Sequence, residues 1–117
     1  MEYFKISTSQ TLVRLLPQEI VYIKADGNYS DVVLADGTRH TFTFQLGYLE
    51  KAATQLHDNP FFRVGRSYLI NRRYVFVLNL TTEQLSFAGP ELKAKIPPLT
   101  ISREALKLLK EELEQAT

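Results

Sequence analysis

No apolar run in this chain goes far before a turn signal stops it, and this punctuation limits the fold to short strands on tight connections. Residues 3–7 and 11–16 are β-branched and aromatic runs on either side of Thr8-Ser9-Gln10, which predicts a first hairpin. Pro17-Gln18-Glu19 interrupts, and residues 20–25 form an almost continuous apolar run, the pattern of a strand covered on both faces. Asp26-Gly27-Asn28 is a strong turn signal, because Gly and Asn accept positive φ at low cost. Residues 29–34 and 38–44 flank Asp36-Gly37, predicting a two-residue hairpin of the I′ type. Further strands are predicted at residues 68–70, 74–80, 85–87 and 92–96, with Pro97-Pro98 expected to end the sheet region.

Two segments change period. Leu46, Leu49, Ala53 and Leu56 are spaced three, four and three apart, one apolar stripe of a helix that Asn59-Pro60 terminates. A closing helix is predicted from Ser102, a good N-cap, with Glu104 suiting the positive end of the helix dipole and Leu106, Leu109 and Leu113 forming its buried stripe. The fold class is therefore mainly β with one internal and one C-terminal helix, and residues 1–117 are expected to form one domain. A chain of this length buries roughly two-thirds of its unfolded surface, enough to fold without staples.

Cysteine is absent, which excludes disulfides and thiolate metal sites and fits a reducing, cytoplasmic location. No signal-peptide pattern follows Met1, and no apolar run approaches the ~18 residues of a membrane span. The net charge of +1 gives no global pull on nucleic acid, so any such partner must be held by a local patch. Enzyme motifs are also missing. His40 and His57 lie in different segments outside any H-E-x-x-H or G-x-S-x-G pattern, and the glycines form no phosphate-cradling loop. Asp26 and Asp31 read as solvated turn residues. The expectation is a non-enzyme with neither cofactor nor metal.

Chemistry concentrates between Asn59 and Thr82, where Arg63, Arg66, Arg72 and Arg73 occur with no acidic residue and with Ser67, Tyr68, Asn71 and Tyr74 interleaved. A guanidinium fork matches phosphate oxygens or the O6/N7 edge of guanine. The bland alternative is that such arginines guard exposed strands and pair with acids from elsewhere. Gly27-Asn28-Tyr29 offers an amide and a ring on a loop tip, although a plain turn is the more ordinary reading of these residue types. Arg103 lies in the first helical turn, where a cation opposes the dipole by roughly 0.3–1 kcal/mol.

The string Phe61-Phe62-Arg63-Val64-Gly65-Arg66-Ser67-Tyr68-Leu69-Ile70-Asn71 resembles the signature of the LytTR family of bacterial DNA-binding domains. Glu19-Ile20-Val21-Tyr22-Ile23, Asn28-Tyr29, Leu46-x-x-Leu49-Glu50 and Ile101-Ser102-Arg103 are similar to other family motifs, so the likeness runs from about residue 3 to 113. It implies an elongated arrangement of three small antiparallel sheets whose loops enter successive major grooves of double-stranded DNA. Carried over by position, the contacts would come from Asn28 and Tyr29, from Gly65, Arg66 and Ser67, and from Arg103. Arg63, Tyr68 and Lys24 would touch the backbone, and Asn71 would serve as a structural turn residue.

One position departs from the family pattern: Gly65 stands where the family commonly has His, leaving Arg66 to supply the side-chain contact. The resemblance also implies a cytoplasmic transcription regulator of the two-component type, binding paired direct repeats with a second copy of itself on the DNA and no membrane contact. The phosphoacceptor receiver usual in such regulators is not within these 117 residues, so the chain is either a stand-alone regulator or an excised C-terminal domain. The competing reading is a protein-interaction module that kept the fold and lost DNA binding.

Overall fold

The computed structural model describes residues 1–115. Its strands form three antiparallel sheets in a body of 45 × 30 × 26 Å, the elongated shape the resemblance implies. The first sheet is the hairpin of β1 (Phe4–Ser7) and β2 (Leu12–Leu15). The central sheet has β3 (Ile20–Asp26), β4 (Tyr29–Leu34), β5 (Arg39–Phe42), β6 (Phe61–Val64) and β7 (Tyr68–Asn71) in the order β5-β4-β3-β7-β6. The third sheet orders β8 (Val75–Asn79), β9 (Gln84–Phe87) and β10 (Leu99–Thr100) as β10-β9-β8. Helix α1 spans Leu46–Ala53 and α2 spans Arg103–Gln115.

The central sheet is the middle layer, and its side-chain alternation builds two cores. Ile20, Ile23, Val32 and Leu69 pack with Phe4, Ile6 and the α1 residues Leu46, Leu49 and Ala53. Val21, Tyr22, Val33 and Ile70 pack with Leu85, Phe87 and the α2 residues Ala105, Leu106 and Leu109. Strict alternation would separate Val21 from Tyr22. A register shift between Ile20 and Tyr22 sends both to the same core.

Among the described residues two polar side chains are fully buried, and both tie connections to the sheet. Asn71 donates from Nδ2 to the carbonyls of Pro17 (3.2 Å) and Ile20 (2.8 Å), while its Oδ1 accepts the Arg73 N–H. This is the structural role the sequence assigned to it. Ser30 donates to the Phe44 carbonyl at 2.6 Å and so anchors the entry to α1.

Four expectations are corrected. Residues 61–64 form β6, which the strand pattern did not predict; its Arg63 obscured a run that Phe61 and Val64 bury at the sheet edge. Residues 92–96 do not form a strand despite their apolar–lysine alternation. β10 takes the free side of β9, and the segment instead crosses to the β4–β5 loop with the Lys93 N–H on the Ala35 carbonyl. Pro97-Pro98 therefore does not end the sheet: Leu99 and Thr100 pair with Leu85 and Gln84 beyond it. The Asp36-Gly37 hairpin is not of the I′ type, which needs positive φ at both central residues. Only Gly37 has it (88°), in a three-residue loop closed by Gly37 N–H to Leu34 O and Leu34 N–H to Thr38 O.

Burial pushes the Tyr22 hydroxyl above the ordinary tyrosine range, partly opposed by Arg39, and burial does the same to Tyr74 with help from Glu91 and Glu19. The folded chain therefore holds these protons more tightly than the unfolded chain. The stability linked to them is present below about pH 10 and is lost as pH rises further. In urea unfolding at neutral pH, Leu49→Ala or Ile23→Ala should cost about 2–5 kcal/mol, since both side chains are enclosed in the α1-side core. A loss under 1 kcal/mol would contradict that packing.

Candidate nucleic-acid interface

Pairing in the central sheet decides which loops meet. β3 runs antiparallel to both β4 and β7, with Asp26 opposite Tyr29 on one side and Lys24 opposite Tyr68 on the other. The Gly27-Asn28 turn and the Gly65–Ser67 loop consequently leave the same end of the sheet. The Ala25 N–H donates to the Ser67 carbonyl at 2.7 Å and fastens the second tip to the base of the first. α2 starts beside them: a Cβ placed on Gly65 would lie 3.5 Å from Ala105 Cβ, two residues from Arg103. The three regions implied by the resemblance are thus gathered at one end of the molecule.

The Gly65–Ser67 loop has a one-sided hydrogen-bonding character. Its three carbonyls are all occupied. Arg63 donates from Nε to Gly65 O (3.2 Å) and from Nη2 to Arg66 O (2.9 Å), and Ser67 O accepts from Ala25. The N–H groups of Gly65, Arg66 and Ser67 have no acceptor among the described residues, and all three residues are exposed. What remains outward is a run of donors beside the Arg66 guanidinium, a surface suited to phosphate or to base acceptors. Gly65 takes φ +63°, so any side chain there adopts a left-handed backbone.

At the head of α2, Ser102 caps as expected, its Oγ accepting the Ala105 N–H at 3.4 Å. The Arg103 N–H donates to Glu83 Oε2 at 2.7 Å, a cap supplied from twenty residues away. Glu83 sits in the β8–β9 turn with φ 56°, the one non-glycine residue with positive φ among the described residues. Sequence reasoning missed it, since nothing in Thr81-Thr82-Glu83-Gln84 announces a helix cap. This carboxylate offsets the dipole misfit expected of Arg103, whose own residue stays exposed.

The acid-free arginine segment divides sharply. Arg63 pairs with Glu50 (2.8 Å), Arg72 with Glu112 (2.7 Å) and Arg73 with Asp58 (2.6 Å), each acid arriving from a distant part of the chain. Arg72 also binds the carbonyls of Asn59 and Pro60. Arg66 alone of the four has no carboxylate partner among the described residues. Lys24 is exposed near the base of the tips, Tyr29 is half exposed, and Tyr68 is partly buried with its ring edge-on to Tyr22 at 6.0 Å. His40 and His57 stay apart, His40 beside Phe42 and His57 with its N–H on the Glu2 carboxylate. Asp36 is held below the usual carboxylate range by the hydroxyl and N–H of Thr38, at the other end of β4.

Three small antiparallel sheets with donors and cations on loop tips at one end define a mainly β fold with a donor-rich end. The sequence profile of the LytTr DNA-binding domain matches residues 10–114, and the chain belongs to the LytTR family of DNA-binding domains found in transcription regulators. Among solved structures, the chain is similar to the LytTr DNA-binding domain of a methyl-accepting/DNA response regulator from Bacillus cereus. The TM-score is 0.64 at 14% identity, covering 97% of each chain. No curated protein matches the sequence with significance.

Two stability measurements check this geometry. Gly65→His should lower stability by about 1–2 kcal/mol through the left-handed φ, since the added Cβ has room. Glu83→Ala should cost about 1–2 kcal/mol as a lost cap, whereas Arg103→Ala should leave the melting temperature unchanged or slightly raised. Unfolding caused by Arg103→Ala would assign that residue to structure instead.

Proposed function

We propose that this domain regulates bacterial transcription by binding specific double-stranded DNA sites, with its loop tips inserted in successive major grooves. The observation that carries the reading is the sorting of the charges. Within the acid-free segment Arg63, Arg72 and Arg73 are paired with carboxylates. Arg66 and also Arg103 lie exposed and, among the described residues, unpaired at the end where Asn28 and the donor-only loop project. Asn28 suits a base edge, Arg66 a guanine, and Arg103 a base or phosphate at the next contact. Lys24, Ser67, Tyr29 and Tyr68 border these tips and suit backbone contacts. Arg63 acts from behind the loop, because its guanidinium is already committed. Paired direct repeats would seat two copies, in line with a response-regulator effector in the cytoplasm. No enzymatic role is proposed.

A protein-docking function is favoured by a separate observation, the exposure of Phe76 and Val77 on edge strand β8 and of Leu108 on α2. Salt dependence separates the two readings. Log affinity for duplex DNA should fall linearly with log salt at a slope of about −2 to −4, given the few unpaired cations at the tips. A flat response would favour docking of protein.

Specificity gives the sharper test. Sites selected from a random duplex pool should contain a guanine opposite the Gly65–Ser67 loop. Arg66→Ala should relax preference at that one position at a cost of about 1–3 kcal/mol, and Arg66→Lys should not restore it, because an ammonium lacks the planar fork. Arg103→Ala should cost a similar amount in affinity. If Arg66→Ala weakened every duplex alike, Arg66 would be a phosphate clamp and not a reader.

A further inference from the structure

We propose that Glu50 and Arg63 are a positioning pair that sets the shape of the Gly65–Ser67 loop and hence the direction from which Arg66 reads DNA. The proposal rests on the DNA-reading role given to Arg66 above. The Arg63 side chain leaves β6 two residues before the loop begins and turns toward it. A single guanidinium then meets three acceptors: Gly65 O at 3.2 Å, Arg66 O at 2.9 Å and Glu50 Oε1 at 2.8 Å. The first two belong to the loop, and the third belongs to α1, which is packed in the core.

Exposure argues that this arrangement is kept for geometry more than for stability. The Arg63 and Glu50 side chains are 31% and 44% exposed, and an ion pair that wet contributes little to folding. Its effect on shape is larger. With Ser67 O bound by the Ala25 N–H, the Arg63 bonds account for every carbonyl of the loop, so none remains outward to repel an acceptor on a partner. Glu50 fixes the remaining edge of the guanidinium and keeps the plane from rotating off the carbonyls. Without Glu50, the same cation is free to swing toward a phosphate, and the loop loses its internal template.

Arginine is required by this geometry. A lysine ammonium can pair with Glu50, but it has no planar fork with which to reach both loop carbonyls at once. Arg63→Lys therefore keeps the charge and removes the template, while Glu50→Gln keeps the template's donors and removes the negative charge that anchors them. Neither residue is called on to touch DNA.

The test uses the full chain, a duplex that it selects from a random pool, and a variant duplex altered at the base pair whose preference Arg66→Ala abolishes. The readout is the ratio of the two affinities by fluorescence anisotropy, with backbone order parameters of the free protein alongside. Arg63→Lys and Glu50→Gln should each lower the ratio roughly tenfold, toward the Arg66→Ala value. The order parameters of Gly65–Ser67 should fall from about 0.85 to below about 0.6 while those of Gly27 and Asn28 hold. A parental ratio in both variants, with Arg66→Ala still abolishing it, overturns the positioning pair and leaves the DNA reading standing. A parent chain that selects no duplex overturns both. Should Arg63→Lys fail to fold, the ratio in Glu50→Gln decides alone.

Discussion

The pairing of β3 with β7 is the constraint on which the rest of this structure depends. These strands are more than forty residues apart in sequence, and their register places Lys24 opposite Tyr68 and the Ala25 N–H on the Ser67 carbonyl. Each hairpin alone would only end in a turn. Joined along β3 and β7 they become one sheet whose turns project from the same end. Both faces of that sheet are then covered, by α1 and the first hairpin on one side and by α2 and the third sheet on the other. A slip of one residue would send the side chains of each core to the opposite face. The register is therefore held by burial on both faces, and the position of the tips follows from it.

Electrostatics then divides the chain's charges into two kinds. Pairs such as Arg72 with Glu112 and Arg73 with Asp58 join distant segments, the first partly buried and the second exposed. Exposed pairs of this sort stabilise little, but each removes a cation from competition for a polyanion. Of the arginines left without a carboxylate among the described residues, Arg66 and Arg103 lie at the tip end. A protein with net charge +1 can in this way present unpaired guanidinium groups at one end without being a basic protein. The cap that Glu83 gives to Arg103 N–H belongs to the same scheme, since it settles where α2 begins and so where the Arg103 side chain starts.

Much of the architecture was legible in order. Short β-branched and apolar runs between turn signals marked β1 to β5 closely. The spacing of Leu46, Leu49 and Ala53 marked α1, although the helix ends before Leu56, which the same stripe had included. Failures occurred where a segment's partner decides its state. Phe61–Val64 carries an arginine that looked like surface, yet it pairs with β7; residues 92–96 alternate like a strand, yet pair with none. Similarly, the four arginines of the acid-free segment are alike in sequence, and only the acids brought in by folding distinguish Arg66 from Arg63, Arg72 and Arg73.

The sequence by itself determined the mainly β class, the two helices, the family and the stretches that carry the tips, because local periodicity, turn chemistry and motif spacing are properties of neighbouring residues. It also determined that Gly65 stands where a side chain is usual. Only the tertiary structure decided that Gly65 lies at φ +63°, that the loop carbonyls face Arg63, and that Glu83 caps α2. These features depend on groups that are far apart in the chain and meet only when the sheets pack. Hydrogen bonds and ion pairs act over a few ångströms of space, and no spacing along the sequence encodes which distant acid or carbonyl will come within that reach.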